Sequence, residues 1–170
     1  MNSKLLLVTC VALIGCSKTA PENATSAKAT TQPSEASKSA CDLNLVTNQD
    51  VAGLFKDPVV NTKNIPGDAQ SCEMSTAGFS GVTISLRPGQ GVAVLSTYTS
   101  GKMNEFDKSE PLPGVGDEAV RSLGLNRITA RKGDLLCEIT GPGLSPPVGD
   151  PSIAILGKVC NKVFGAYSAH

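Results

Sequence analysis

The sequence predicts an α+β domain over residues 41–170, an antiparallel sheet packed by an N-terminal and a C-terminal helix and pinned by two disulfides. Three observations carry this expectation. At both ends of the segment, apolar residues recur at i, i+3 and i+4, the period of a helix with one buried face. Between them the pattern shifts to alternation broken by Pro and Gly, as in short antiparallel strands. Four cysteines, Cys41, Cys72, Cys137 and Cys160, are spread through the same segment.

The first helix is expected in "LVTNQDVAGLFKDP". Thr47 is placed as a cap, with Asp50 three residues on in the manner of a capping box. Val46 and Val51 stand where a hydrophobic staple would form, Val51, Leu54 and Phe55 give the buried stripe, and Pro58 ends it. The turn residues "IPGDAQ" follow. Three strands are then expected. In "SCEMS", Cys72 and Met74 share one face; in "VTISL", Val82, Ile84 and Leu86 do. "GVAVLSTY" is apolar on both faces, which fits a strand covered on both sides.

A short helix is expected in "SGKMNEFDKS" and a loop in "EPLPGVGDEAV". "RITARKGDLLCEIT" reads as a hairpin turning at Lys132-Gly133-Asp134, with Ile128 and Ala130 on one side of its first strand and Leu135, Cys137 and Ile139 on one side of its second. After the loop "GPGLSPPVGD", Asp150 caps the last helix and Pro151 takes its first position. Leu156, Val159, Cys160, Val163 and Tyr167 form its apolar side; Lys158, Asn161 and Lys162 face away.

Four cysteines allow three pairings. The inner-face placements favour Cys41–Cys72 and Cys137–Cys160, each pinning a terminal helix to the sheet. A metal site is the alternative, but there is no CxxC spacing and the single histidine is the last residue, His170. No metal and no cofactor is expected. "CEMS" and "CEIT" look alike, a similarity that four residues of strand pattern readily produce by chance.

Ahead of the domain, Lys4 precedes an apolar run from Leu5 to Ile14, too short for a bilayer, which needs about 20 residues. A charged start, a short apolar core and a small residue describe a secretory signal. Leu13-Ile14-Gly15-Cys16 adds a specific feature: it resembles the lipobox of bacterial lipoprotein precursors. The resemblance implies that residues 1–15 are removed and that Cys16 becomes the first residue, its thiol carrying diacylglycerol in an anchor of the palmitate type. Ser17 in the next position then implies sorting to the outer membrane, facing the periplasm, in a Gram-negative envelope. An ordinary signal peptide cut near Ala20 is the alternative. Cys10 lies within the apolar run and leaves with the peptide.

Residues 16–40 follow as the lipidated cysteine and a tether rich in Ala, Ser, Thr, Lys, Glu and Pro. Such a composition buries too little apolar surface to offset its ordering entropy. A flexible chain of this length spans about 25–30 Å. Asn23-Ala24-Thr25 matches a glycosylation sequon, which carries little weight in a bacterial lipoprotein.

Loss of Lys4 with the leader turns 15 basic and 15 acidic residues into 14 and 15, a net charge of −1. Nucleic acid and anionic lipid headgroups reward clustered Lys and Arg, so neither is an expected ligand. Trp is absent and only 4% of residues are aromatic, which disfavours base stacking as well.

Candidate chemistry is sparse. Gly114-Val115-Gly116-Asp117-Glu118-Ala119 fits GxGxxA, but a dinucleotide site needs a strand before it and a helix after it, and Pro111 and Pro113 occupy the strand position. A close turn with local roles for Asp117 and Glu118 is the expectation. Glu73, Asp117, Glu118 and Glu138 show no spacing of an acid/base pair. No GxSxG occurs. Arg87, Arg121, Arg127 and Arg131 would bind an anion only if the fold gathers them.

Across residues 41–166, a cysteine before "VTNQDVAGLF", the "CEMS" strand, the "PGVGDEA" loop, the "ITARKGD" hairpin and a closing helix are together similar to a set of small bacterial lipoproteins of unassigned function. The resemblance implies no particular activity and no catalytic residue. The expected function is a non-enzymatic, lipid-anchored envelope protein that binds a protein or wall-derived partner in the periplasm. Three further readings stand beside it. One is an inhibitor or immunity protein against a wall-degrading enzyme, acting through "GPGLSPPVGD" or "EPLPGVGDEA". Another is an accessory of an envelope or secretion complex, and the last an unrecognised periplasmic enzyme.

Overall fold

The computed structural model describes residues 38–78, 80–100 and 108–167. The leader, Cys16, most of the tether, residues 101–107 of the short helix expected in "SGKMNEFDKS", and His170 lie outside the described residues; of that expected helix, Ser109 belongs to a strand. The chain runs α1 (Asn48–Val51), a 3-10 turn (Ala52–Leu54), β1 (Val59–Ile65), β2 (Asp68–Thr76), β3 (Gly81–Pro88), α2 (Gly91–Thr99), β4 (Ser109–Pro111), β5 (Glu118–Ser122), β6 (Leu125–Lys132), β7 (Leu135–Leu144) and α3 (Pro151–Tyr167). The strands form one antiparallel sheet in the order β1-β2-β3-β7-β6-β5-β4. Two meanders therefore meet side by side, β3 pairing with β7.

Alternation along the strands divides the sheet into two faces. Cys72, Met74, Ile84, Leu86, Ile128, Ala130, Cys137 and Ile139 form the inner face and are fully buried or nearly so. Their cross-strand registers place them in contact, as in the rows Cys72–Ile84–Ile139–Ile128 and Leu86–Cys137–Ala130. Helix α3 covers this face with Leu156, Val159, Cys160, Val163 and Phe164.

The first helix is shorter than its sequence pattern predicts. Its α-helical part is one turn, which continues as the 3-10 turn to Leu54. Gly53 lies where the chain passes Ile155 of α3 so closely that a Cβ there would stand 2.7 Å from Ile155 Cδ1. Asp50 accepts hydrogen bonds from the Thr47 backbone N–H and hydroxyl, each 2.7 Å. Val46 and Val51 are both buried in the core.

Two assignments are corrected. "GVAVLSTY", expected as a strand, is helix α2. Both sides of β3 are already occupied, by β2 and β7, so the segment cannot pair beside the strand it follows. It lies instead on the outer face, where Leu95 meets Val120 and Leu136, with Val94 and Tyr98 beside them. Its residues Val94, Leu95 and Tyr98 fall at helical spacing, and that packing outweighs the strand preference of its β-branched residues. "EPLPGVGDEAV" is not wholly loop: its first residues complete β4 and its last begin β5. The exposed edge strand β1, "VVNTKNI", had no signal in the alternation because only its two end residues are even half-buried.

Both disulfides, Cys41–Cys72 and Cys137–Cys160, are present, with Cα–Cα distances of 6.1 and 5.8 Å. Cys137–Cys160 joins β7 to α3. Cys41 lies in the turn before α1 rather than in the helix, so its bond fastens the entry of the chain to β2. The fold also begins earlier than residue 41. Ser39 and Ala40 are fully buried, and the Ser39 hydroxyl donates to Asn64 Oδ1 at 2.7 Å. "CEMS" and "CEIT" lie on the second strand of the first meander and the last strand of the second, which are not equivalent positions in a repeat.

Candidate binding groove

The loop from Leu112 to Asp117 is built by two glycines and one asparagine. Gly114 and Gly116 have φ of +83° and +58°, a region that side chains disfavour. Gly116 also passes so close to Arg131 that a Cβ would stand 2.2 Å from its carbonyl oxygen. Asn161 of α3 then clamps the loop: its Nδ2 donates to Gly114 O and its Oδ1 accepts from the Gly116 N–H, both at 2.9 Å. On the far side, the Asp117 N–H donates to Arg131 O at 2.8 Å, and Asp117 Oδ2 accepts from the Gly133 N–H at 2.7 Å.

Held in this way, the loop forms one wall of a groove of about 400 Å³ whose other wall is the N-terminal half of α3. Leu112, Pro113, Val115, Ile153 and Ala154 supply apolar lining, and exposed Lys158 stands among them. Gly157 lets the walls approach, since a Cβ there would meet Val115 Cγ2 at 2.9 Å. Asp150 lies at the end formed by the helix start. The Ser152 hydroxyl and N–H, at 2.6 and 2.8 Å, hold its carboxyl below the usual range.

Of the two Pro/Gly loops, residues 112–115 and 149–150 both line this groove, so the fold brings the loops together. The segment between β7 and α3 is pinned from the sheet. Arg121, 6% exposed, pairs with Glu110 and donates to Pro146 O at 3.1 Å, while the Ser145 hydroxyl donates to Ser122 O at 2.8 Å.

The other sequence candidates do not converge. Arg87 pairs with Asp68 at 3.0 Å and Arg131 with Glu118 at 2.9 Å, and Arg127 lies 5.6 Å from the Tyr98 ring centroid. With Arg121 bound to Glu110, the four arginines occupy four separate environments rather than one anion site. Glu73 and Glu138 are on the outer face, where Glu73 pairs with Lys63 at 3.3 Å and Glu138 accepts from the Thr129 hydroxyl at 3.3 Å. The GxGxxA segment runs into strand β5, which begins at Glu118, rather than into a helix, and its glycines serve the loop. Among the described residues no three His, Cys, Asp or Glu side chains gather as a metal-holding group. None of their helices is long and apolar enough to cross a membrane.

The groove offers apolar surface, one amine and one carboxylate already engaged by Ser152. Asn161 and Gly157 were not singled out by the sequence pattern. Asn161 reads as an outward polar residue on an amphipathic helix; a glycine in the helix interior at 157 is the signal of a close approach. No protein-family model, no curated protein and no solved structure matches the chain.

Proposed function

We propose that this chain is a lipid-anchored envelope protein whose domain binds a partner, a protein or a wall-derived fragment, through the groove between the 112–117 loop and α3. The terminal helices and the two disulfides serve as its scaffold. The observation that carries the reading is the Asn161 clamp: a glycine loop fixed at both Gly114 and Gly116 makes a preformed apolar wall. A preformed site loses little ordering entropy on binding. The anchor reading is supported by Leu13-Ile14-Gly15-Cys16, and export by the two disulfides, which persist in oxidising compartments. Ser17 supports an outer-membrane destination.

The test is capture of envelope proteins and wall fragments on the immobilised full chain, beside an Ala154→Trp variant that fills the groove. Ligand retained by the natural chain and lost by the variant supports the reading. Equal retention by both moves the binding surface elsewhere. Mass measurement of the N-terminal peptide tests the lipid on Cys16.

A second reading is favoured by the convergence of the two loops. Exposed Pro113 and Pro147 lie on segments pinned by Asn161 and Arg121. Rigid, exposed loops suit insertion into the cleft of a wall-degrading enzyme. Stoichiometric inhibition of a muramidase, weakened by changes in either loop, would select this reading.

A further inference from the structure

Among the described residues, six large apolar side chains are exposed, and four of them belong to one end of the sheet: Leu123 (45%), Leu125 (39%), Leu144 and Val148 (79% each). Leu125 pairs with Leu144 across β6 and β7. The Ser145 hydroxyl and the Arg121 guanidinium bind the 144–148 segment to the β5 end. The β5–β6 turn and the β7–α3 segment are therefore stitched into one surface.

Two features of this surface distinguish its occupant. Neither residues 122–126 nor residues 141–149 contain an ionisable side chain. The backbone N–H groups of its β5–β6 turn are also satisfied within the chain. Ser122 Oγ accepts from the backbone N–H of Gly124 at 3.2 Å and of Leu125 at 3.1 Å, and the Leu123 N–H donates to Lys108 O at 2.8 Å. A protein partner would ordinarily find donors and acceptors to pair with, at about one hydrogen bond per 100–200 Å². Hydrocarbon tolerates only backbone groups that are satisfied within the chain.

We propose that this end of the sheet, Leu123, Leu125, Leu144 and Val148, inserts into the lipid bilayer on which the chain is anchored. The inference rests on the lipid-anchor reading for its strength. Four side chains make a weak independent attachment, but a tether raises the local concentration of the second contact to about millimolar. Cys16 and Lys38 are 22 residues apart, a reach of at most about 75 Å. That distance leaves every face of the domain within reach of the membrane, so exposed apolar surface decides which face meets it.

The chain contains no tryptophan, so a single introduced one reports alone. Leu144→Trp is placed in the full chain and reconstituted in vesicles of phosphatidylethanolamine and phosphatidylglycerol with brominated acyl chains. Val60→Trp, at an exposed position on edge strand β1, is the comparison. The expected result is a blue-shifted Leu144→Trp emission quenched about twofold or more, with Val60→Trp nearly unaffected. Adding Leu123→Ser and Leu125→Ser should reverse most of the quenching. The mass of the N-terminal peptide reads the anchor separately. If Cys16 is unmodified, the same emission is read with the chain mixed with excess vesicles. An unmodified Cys16 overturns the anchor, and quenching in that mixture leaves the insertion standing. Unquenched or equally quenched tryptophans, in either form of the chain, overturn the insertion. So does a blue shift that arises without lipid and grows with protein concentration, which would assign the surface to a second copy.

Discussion

Asn161 Oδ1 and the Gly116 N–H meet at 2.9 Å across 45 residues of sequence, and the other half of the same amide holds Gly114 O. One side chain on α3 thus sets the shape of a loop from the far end of the sheet. Asn161→Ala removes both bonds. At about 0.5–1.5 kcal/mol each, the loss is about 1–3 kcal/mol. Urea unfolding should show this, and hydrogen exchange should rise at residues 114–117 more than in the strands.

Gly116→Ala should cost more, above about 2 kcal/mol, because it combines positive φ with a clash against the Arg131 carbonyl. Gly114→Ala has positive φ but open space around its Cβ, and should cost about 1 kcal/mol. Thermal melts of the two variants test the order; equal losses would show that φ alone governs both positions.

Replacing each disulfide by serine pairs should cost about 3–4 kcal/mol from the closed loops, whose residues are separated by 31 and 23 positions. The Cys137/Cys160 pair should lose more despite its shorter loop. Both of its cysteines are fully buried, so two hydroxyls enter the core, whereas Cys41 is only partly buried. Non-reducing peptide mapping and unfolding of the two double variants check this.

Arg121 is almost fully buried between Glu110 and Pro146 O. Arg121→Met should destabilise by about 1–3 kcal/mol and release the 145–149 segment to proteolysis. Lysine should rescue little, because it cannot reach two acceptors with a planar fork.

Stability should fall in acid. Asp68 is held below the usual carboxyl range by the Ser71 hydroxyl, against some burial, and further by the Gln70 N–H and Arg87. Burial opposes ionisation of Asp50, but hydrogen bonds from Lys162 and Thr47 outweigh it. Asp42 is lowered chiefly by the Asn64 amide, with the Ser39 N–H and hydroxyl contributing. A depressed folded-state pKa gives stability that is complete above the unfolded value and is lost as pH drops through the folded one. The melting temperature should therefore begin to fall below about pH 4 and keep falling toward lower pH. In Asp68→Asn that slope should be shallower; an unchanged slope would remove Asp68 from the account.

Much of the fold was legible because local chemistry and tertiary packing agree. The β6–β7 hairpin, with Gly133 at its turn, and α3, with Asp150 and Pro151 at its start, keep their periods because each has one buried face. "GVAVLSTY" misled because its apolar residues fit either period, and only packing of Val94, Leu95 and Tyr98 on the outer face of the sheet decides for the helix. Strand β1 was silent because an exposed edge strand needs no alternation.

By itself, the sequence determined the α+β class, four domain cysteines fit to form disulfides and most of the apolar faces, all of which follow from residue type and period, while the pairing of the cysteines was decided in the fold. Tertiary structure alone decided that Asn161, seemingly an outward polar residue, grips Gly114 and Gly116. It also decided that Leu123, Leu125, Leu144 and Val148 stay exposed, with Leu125 paired across the strands with Leu144. The physical reason is that local pattern reports which way a side chain points. Which distant backbone it meets there is set by sheet order and helix docking.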